Sequence, residues 1–179
     1  MNTLKTRKLV MCALFAAICF VVTRFLSVPA LYTKGYVNLG DLVVLLSAYI
    51  IGGWYGAASA AFGSALADAS MGYYFYVPST FLIKGAMVFI AALFFKKSVA
   101  GGRFKSAVWV SLGCVVAELF MAIGYFAYES ILYKSVIVAT ASVVGNLVQG
   151  LTCVVPSVII IMIFKKNSAV ASVIKSLKK

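Results

Sequence analysis

The sequence contains no histidine and few charged residues. Without histidine, the chain lacks the side chain that most often shuttles protons near neutral pH. Only 11% of its 179 residues are charged and 64% are hydrophobic. A soluble fold of this composition would lack the polar surface needed to cover its apolar residues. The composition therefore places the chain among integral membrane proteins.

The cysteines and the basic residues do not indicate the sites they often form elsewhere. Cys12, Cys19, Cys114 and Cys153 all lie inside apolar runs, which is typical of small packing residues rather than of disulfides or a metal site. The net charge of +12 raises the question of nucleic-acid binding. The basic residues, however, lie at the ends of apolar segments and not on an amphipathic face, which disfavours that function. No cofactor is predicted.

The positive charge is concentrated in three blocks that alternate with apolar runs. Twelve of the 16 lysines and arginines fall within residues 5–8, 96–105 and 165–179. Because cytoplasmic loops of membrane proteins are enriched in basic residues, the pattern predicts that both termini and all three blocks are cytoplasmic. Arg24, Lys34 and Lys134 then lie near outer loops, and Lys84 lies within a span.

Six apolar segments predict an all-α integral membrane protein, a compact bundle of six transmembrane helices that forms one domain over residues 1–179. The segments are Leu9–Leu26, Leu39–Ile51, Trp54–Ala67, Thr80–Phe95, Ala107–Tyr128 and Val136–Phe164. The second and third are short, because about 14 residues of helix cover roughly 21 Å of a hydrocarbon core near 30 Å. We expect them to form a tight pair joined at Gly52 and Gly53, one of them either broken or stopping short of a full span.

Both ends of the chain allow a second interpretation. The first segment has the basic start and apolar middle of a signal peptide, but its length, the following Arg24 and the position of Pro29 favour a retained helix. The basic C-terminus is interpreted as a charge block that sets topology. A frayed helix on the anionic inner leaflet is the alternative.

Small residues recur at helical spacing in two segments. Gly56, Ala60 and Ser64 in the third segment are four residues apart, and such spacing lets helices approach closely in lipid. Internal packing is the favoured interpretation for that helix. For the first segment, which carries Ala13 and Ala17, the sequence leaves open whether the small residues pack internally or dock another membrane protein.

Polar side chains within apolar segments are costly and mark functional sites. In the six-span arrangement most of them lie in the outer half of the bundle, and Glu118 lies near the middle of the fifth segment. This asymmetry favours a site open to the outside and argues against a through-pore or a proton relay. Two structural alternatives are a pairing of Asp68 with Lys84 and a capping role for Asp41 at the start of the second helix.

The segment Ser70–Pro78 holds four consecutive aromatic residues at positions 73–76. Such residues are ordinary at a membrane interface, but their clustering in one outer loop also suits stacking against a flat ligand. Tyr125 and Tyr128 at the outer end of the fifth helix could join them.

Several short stretches resemble one family of transporters. These are YVNLGD at 36–41, GSALAD at 63–68, GYY at 72–74, PST at 78–80 and the pair Lys84-Gly85. They are similar to the S components, the substrate-binding subunits of energy-coupling factor (ECF) transporters. The branch with riboflavin-type and hydroxymethylpyrimidine- or pyridoxine-type members is the most similar. The match is best over helices two to four and only general over helices five and six.

The resemblance implies an uptake mechanism in the bacterial plasma membrane. An S component binds a vitamin or vitamin precursor in an outward-facing pocket, associates with one transmembrane coupling subunit and two ATPases, and topples to release its cargo inside. It also implies that Ala13 and Ala17 meet the coupling subunit. The chain has no GxxxxGK[ST] motif, so a partner must supply ATP chemistry. Pyridoxine or hydroxymethylpyrimidine is the expected substrate, ahead of riboflavin.

The alternative function is a small membrane enzyme acting on a lipid-linked substrate, with Asp68, Glu118 or Lys84 as acid or base. The sequence has no histidine, paired-carboxylate motif or nucleophile elbow to support it. For the binding function, the predicted substrate-binding residues are Asn38, Asp41, Asp68, Tyr74, Tyr76, Lys84, Glu118, Asn146 and Gln149.

These residues are assigned different parts. Asn38, Tyr74 and Tyr76 are predicted ligand contacts. A deeper group is expected to hydrogen-bond the ligand, because an unpaired buried polar group costs roughly 1–3 kcal/mol. This deeper group consists of Glu118, Asn146 and Gln149. Asp41, Asp68 and Lys84 are expected both to stabilise the fold and to contribute to the binding site.

Overall fold

A computed structural model describes residues 3–29, 36–99 and 102–177. Lys34, Lys178 and Lys179, which the sequence assigns to an outer loop and to the last basic block, lie outside the described residues. The described elements are α1 (Thr3–Phe25), β1 (Ser27–Pro29), β2 (Tyr36–Asn38), α2 (Gly40–Ile50), α3 (Gly53–Ser70), α4 (Val77–Lys97), α5 (Arg103–Leu132), α6 (Val136–Lys166) and α7 (Ser168–Leu177).

Four of these helices, α1, α4, α5 and α6, are long and apolar enough to cross a membrane. Helix α2 has 11 residues and so extends only about 16 Å, which is too short to cross a bilayer. The expectation that one member of the α2–α3 pair stops short agrees with this length. The count of six spans and the cytoplasmic position of the termini stay predictions.

The α2–α3 turn follows the sequence prediction. Gly52 and Gly53 connect the two helices with φ values of 62° and 53°, a region that residues with a side chain rarely adopt. The N–H of Gly52 donates to the carbonyl of Ser47 at 2.9 Å, which closes the end of α2. The glycine pair therefore reverses the chain within very few residues.

Helix α3 lies inside the bundle and packs against α1 and α4. Its predicted stripe of Gly56, Ala60 and Ser64 is buried, which supports the packing interpretation. A Cβ atom on Gly63 would lie 2.5 Å from the backbone oxygen of Ala16, so this glycine lets α1 and α3 come into close contact. Ala13 and Ala17, in contrast, lie on the exposed face of α1.

The structure adds a hairpin that was not predicted from the sequence and docks a C-terminal helix that the sequence offered only as a frayed alternative. Strands β1 and β2 form a short antiparallel hairpin in which Val28 pairs with Val37, and it connects α1 to α2. At the other end of the bundle, residues 168–177 form a helix that packs against α6 and α1. Ile174 and Leu177 on α7 are buried, so this part of the basic tail is docked on the bundle rather than frayed.

The helix ends gather into two groups. The junctions α1–β1, β2–α2, α3–α4 and α5–α6 meet around one cavity, and we call this the cavity end. The opposite group contains the start of α1 and the ends of α2, α4 and α6. There Lys165 donates to the backbone oxygen of Ser98 at 2.8 Å. We call this the basic end, because the three basic blocks begin or end its helices.

Candidate functional site

The cavity end contains a partly open cavity of about 40 Å³, which is room for a few water molecules. Every helix from α1 to α6 except α2 contributes to the wall, together with strand β2 and the α3–α4 loop. The lining residues are Thr23, Tyr36, Val37, Asn38, Ser64, Asp68, Tyr73, Tyr76, Thr80, Lys84, Tyr125, Glu129, Ser142, Gly145, Asn146 and Gln149.

A hydrogen-bonded network at the base of this cavity joins three helices, α2, α4 and α6, and strand β2. The ammonium group of Lys84 on α4 lies 2.5 Å from Oδ1 of Asp41 on α2, and Nε2 of Gln149 on α6 donates to the other carboxylate oxygen at 2.5 Å. The amide oxygen of Gln149 accepts from the backbone N–H and the side-chain amide of Asn38, at 2.8 and 3.1 Å. Asp41 is therefore fully compensated although none of its surface is exposed.

This network corrects both structural alternatives that the sequence suggested. Lys84 forms its salt bridge with Asp41 and not with Asp68. Asp41 does not cap α2, because its carboxylate is engaged by Lys84 and Gln149. The side-chain oxygen of Asn38 instead accepts from the N–H of Gly40 at 2.7 Å, where α2 begins. Sequence spacing alone could not distinguish the two aspartates as partners of the lysine.

Asp68 lies at the end of α3 and accepts a hydrogen bond from the hydroxyl of Tyr36 on β2. The Tyr36 ring packs at 5.1 Å, centroid to centroid, against Tyr73 of the α3–α4 loop. Burial and the neighbouring carboxylate of Asp68 raise the pKa of Tyr36, so its hydroxyl stays a donor at physiological pH. The hairpin strand thus supplies an aromatic wall to the cavity.

The adjoining part of the wall is built from the end of α5, the start of α4 and Tyr76 just before it, whose ring lies 6.3 Å from that of Tyr73, centroid to centroid. The hydroxyl of Tyr76 donates to Glu129 at 2.9 Å and lies 2.8 Å from the hydroxyl of Tyr133. Deeper in the cavity, the hydroxyl of Tyr125 lies 2.8 Å from Oγ1 of Thr80. Lys84 lies 5.4 Å from the centroid of the Tyr125 ring, which adds a cation–π contact.

The structure brings most of the predicted site residues to the cavity. Asn38, Asp68, Tyr76, Lys84, Asn146 and Gln149 line it, and Asp41 lies directly behind Lys84 and Gln149. Glu118 is buried against α6: a Cβ added to Gly150 of that helix would lie 3.1 Å from the Cβ of Glu118. Glu118 does not line the cavity. Tyr74 is 70% exposed and is not among the residues that line the cavity.

Sequence reasoning missed several lining residues, including Thr23, Tyr36, Thr80, Glu129 and Ser142. Glu129 could have been found, because it is one of only four acidic residues in the chain. Tyr36 directly precedes the stretch that contains Asn38 and Asp41, which is a weaker signal. The hydroxyl residues gave no signal, since serine and threonine are common in packed membrane helices.

Comparisons with known proteins agree with this architecture. Residues 3–166 match the family model described as the ECF-type riboflavin transporter, S component. An uncharacterized protein in the gap 3′ region of Pyrococcus woesei is 33% identical over 113 residues, which is 63% of this chain and 72% of that protein.

Two solved structures share the fold. One is described as the S component of a bacterial ECF transporter, with a TM-score of 0.67 and 19% identity over 87% of this chain and 94% of that one. The other is the S component for biotin from an ECF-type ABC transporter, with a TM-score of 0.66 and 21% identity over 94% and 95%. The chain belongs to the family of ECF-type riboflavin transporter S components, and it is a multi-pass cell-membrane subunit for vitamin uptake rather than an enzyme.

Proposed function

We propose that this S component captures a small aromatic vitamin or vitamin precursor from outside the cell and delivers it inward with an ATP-driven coupling module. Pyridoxine or hydroxymethylpyrimidine is the first candidate and riboflavin the second. The observation that carries the proposal is a cavity that combines tyrosine walls with a hydrogen-bonded polar base. Binding sites for small molecules typically pair apolar and aromatic walls with a few fixed polar groups.

The geometry supports a single-ring substrate over a three-ring one. Tyr36, Tyr73 and Tyr125 line the cavity with aromatic rings. The side-chain amides of Asn38 and Gln149 each use one N–H within the network, which leaves their second N–H for a hydroxyl or ring nitrogen of a ligand. The free space of about 40 Å³ is much smaller than the roughly 300 Å³ or more of typical ligand pockets. Ligand entry therefore requires the walls to separate, and a single ring requires the smaller separation.

The distribution of charge supports an outward-facing cavity. The basic residues at the starts of α1 and α5 and at the ends of α4 and α6 gather at the end opposite the cavity. By the positive-inside rule this basic end faces the cytoplasm. The cavity then opens to the medium from which the substrate is collected.

The exposed face of α1 is proposed to dock the transmembrane coupling subunit. Ala13 and Ala17 lie there one turn apart, and small residues let a second helix approach closely in lipid. The two ATPases of the module would supply ATP hydrolysis, since this chain carries no phosphate-binding GxxxxGK[ST] sequence.

Binding by the purified protein tests this proposal. The detergent-solubilised chain should bind one vitamin of a broad panel with submicromolar affinity in the absence of ATP, as measured by isothermal titration. Mass spectrometry of the freshly purified protein should detect the same compound as a copurified ligand. If no vitamin binds, or if the chain alone drives uptake into vesicles that lack the coupling module, the proposal is wrong.

A further inference from the structure

The acidic residues of this chain are gathered at a single place. Asp41, Asp68, Glu118 and Glu129 are all of its aspartates and glutamates, in a protein of net charge +12, and all four are buried at or behind the cavity. Lys84 faces the same cavity, but its ammonium group is bound to Asp41. Asp68 and Glu129 line the cavity and do not share that salt bridge.

Asp68 and Glu129 each retain an oxygen that is not hydrogen-bonded. Oδ1 of Asp68 accepts from Tyr36 and Oε1 of Glu129 accepts from Tyr76. Oδ2 of Asp68 and Oε2 of Glu129 have no hydrogen-bond partner among the described residues, although the two side chains are only 2% and 3% exposed. Two acceptors are therefore held in the cavity wall without donors.

The nearby hydroxyl groups do not fill this role. Thr80 lies beside Asp68 and its hydroxyl is 2.8 Å from that of Tyr125, where either oxygen can donate, but it forms no hydrogen bond to Oδ2 of Asp68. Ser142 lies beside Glu129, but its proton is donated to the backbone oxygen of Ala139 at 2.9 Å. Within the described part of the chain, Oγ1 of Thr23 is a further cavity-lining atom without a hydrogen-bond partner. The cavity wall therefore contains a hydroxyl group without a hydrogen-bond partner in addition to the two carboxylate oxygens.

Such an arrangement selects for the charge of a ligand. A buried carboxylate without a partner is unfavourable, and a cation that donates hydrogen bonds removes that cost. A ligand that presents carbonyl oxygens to the same atoms would be repelled. The tyrosine faces around the cavity favour a cation further through their negative π-surfaces.

We propose that the captured substrate carries an amino group and is bound in its protonated form at the carboxylates of Asp68 and Glu129. The inference rests on the proposed function and narrows it to a substrate whose ring bears a protonated amine. Asp41 and Lys84 neutralise each other and hold the base of the site, whereas Asp68 and Glu129 recognise the ligand charge. A neutral ring system such as riboflavin is then a poor ligand.

A matched pair of probes tests this selectivity. Pyridoxamine and pyridoxine share one ring and differ by an aminomethyl group in place of a hydroxymethyl group. Titration calorimetry with the purified full chain should give pyridoxamine at least about a tenfold tighter affinity, the size expected for a charge-assisted hydrogen bond. The variants Asp68→Asn and Glu129→Gln keep the acceptor for the neighbouring tyrosine. Each should reduce this ratio toward one while pyridoxine binding changes less.

The ratio separates charge recognition from a structural effect, because a distorted cavity lowers both affinities together. Equal or tighter binding of pyridoxine by the unaltered protein, or binding of riboflavin alone, overturns the inference and leaves the proposed function intact. A preference for pyridoxamine that persists when Asp68→Asn and Glu129→Gln are combined also overturns it. If no compound of the vitamin panel binds, the proposed function itself fails.

Discussion

The two ends of the bundle differ in what their charges do. At the cavity end, Asp41, Asp68, Lys84 and Glu129 are buried and each contacts a specific partner. At the basic end, most lysines and arginines are exposed, including Lys96 and Lys97 at the end of α4. The first set costs desolvation and must be compensated within the protein, whereas the second set remains in water or near lipid headgroups.

This difference separates two tasks. Exposed charge at the basic end can set orientation without fixing any side chain, because topology depends on the number of basic residues near the helix ends. Buried charge at the cavity end depends on position, because every group there needs one particular partner. Substitutions that are harmless at one end should therefore be severe at the other, and four predictions follow this contrast.

The largest effect is expected from removing the buried lysine. Lys84→Met leaves the Asp41 carboxylate fully buried without its cation, which should lower the free energy of unfolding by about 3–5 kcal/mol. Lys96→Met makes the same exchange at an exposed position of the same helix and should change stability by less than about 0.5 kcal/mol. Thermal denaturation in detergent, followed by circular dichroism, measures both.

A double variant checks the cause of that loss. Replacing both partners, Asp41→Leu with Lys84→Met, should recover much of the stability, because no unpaired charge then remains. A double variant as unstable as Lys84→Met alone would show that the lysine acts through packing and not through its charge.

The second prediction concerns Gly40, whose backbone is closely packed by two side chains at the cavity end. A Cβ on Gly40 would lie 2.0 Å from Oγ1 of Thr23 and 2.6 Å from Oδ1 of Asn38. Gly40→Ala should therefore displace the Asn38 side chain, reduce ligand affinity and cost about 1–3 kcal/mol of stability. Gly85→Ala on α4 is the control, since its Cβ would meet its nearest neighbour at an ordinary 3.5 Å. Equal affinity and stability for the two variants would contradict the argument.

The contrast between the ends also explains what could be predicted from the sequence. Hydropathy located the long helices, and the Gly52-Gly53 turn was evident because few other residues adopt its backbone angles. The partner of Lys84 was not evident, since the sequence places both Asp41 and Asp68 near outer helix ends and only the packed structure shows that Asp41 reaches the lysine. The docked α7 was missed because its apolar residues are interrupted by serines and lysine.

The third prediction tests which tyrosines form the site. Tyr36→Phe removes the hydrogen bond that holds the Asp68 carboxylate in place and should weaken ligand binding about five- to tenfold, the size of one lost hydrogen bond. Tyr74→Phe should leave affinity unchanged, since Tyr74 is 70% exposed outside the cavity. Titration of the two purified variants with the copurified ligand gives the comparison. A loss confined to Tyr74→Phe would restore the sequence-based expectation that Tyr74 contacts the ligand.

The smallest effect is expected at the basic end, where one lysine departs from the general pattern. Lys165 donates to the backbone oxygen and the hydroxyl of Ser98 at 2.8 and 2.7 Å, which ties the end of α6 to the end of α4. Lys165→Met should lower stability by about 1 kcal/mol, the net value of such hydrogen bonds, whereas the exposed neighbour Lys166→Met should have no measurable effect. Neither variant should alter ligand affinity, because both residues lie at the end of α6 far from Gln149. A reduced affinity in Lys165→Met would show that the two ends are coupled through α6, and the division between an orienting end and a binding end would then be too sharp.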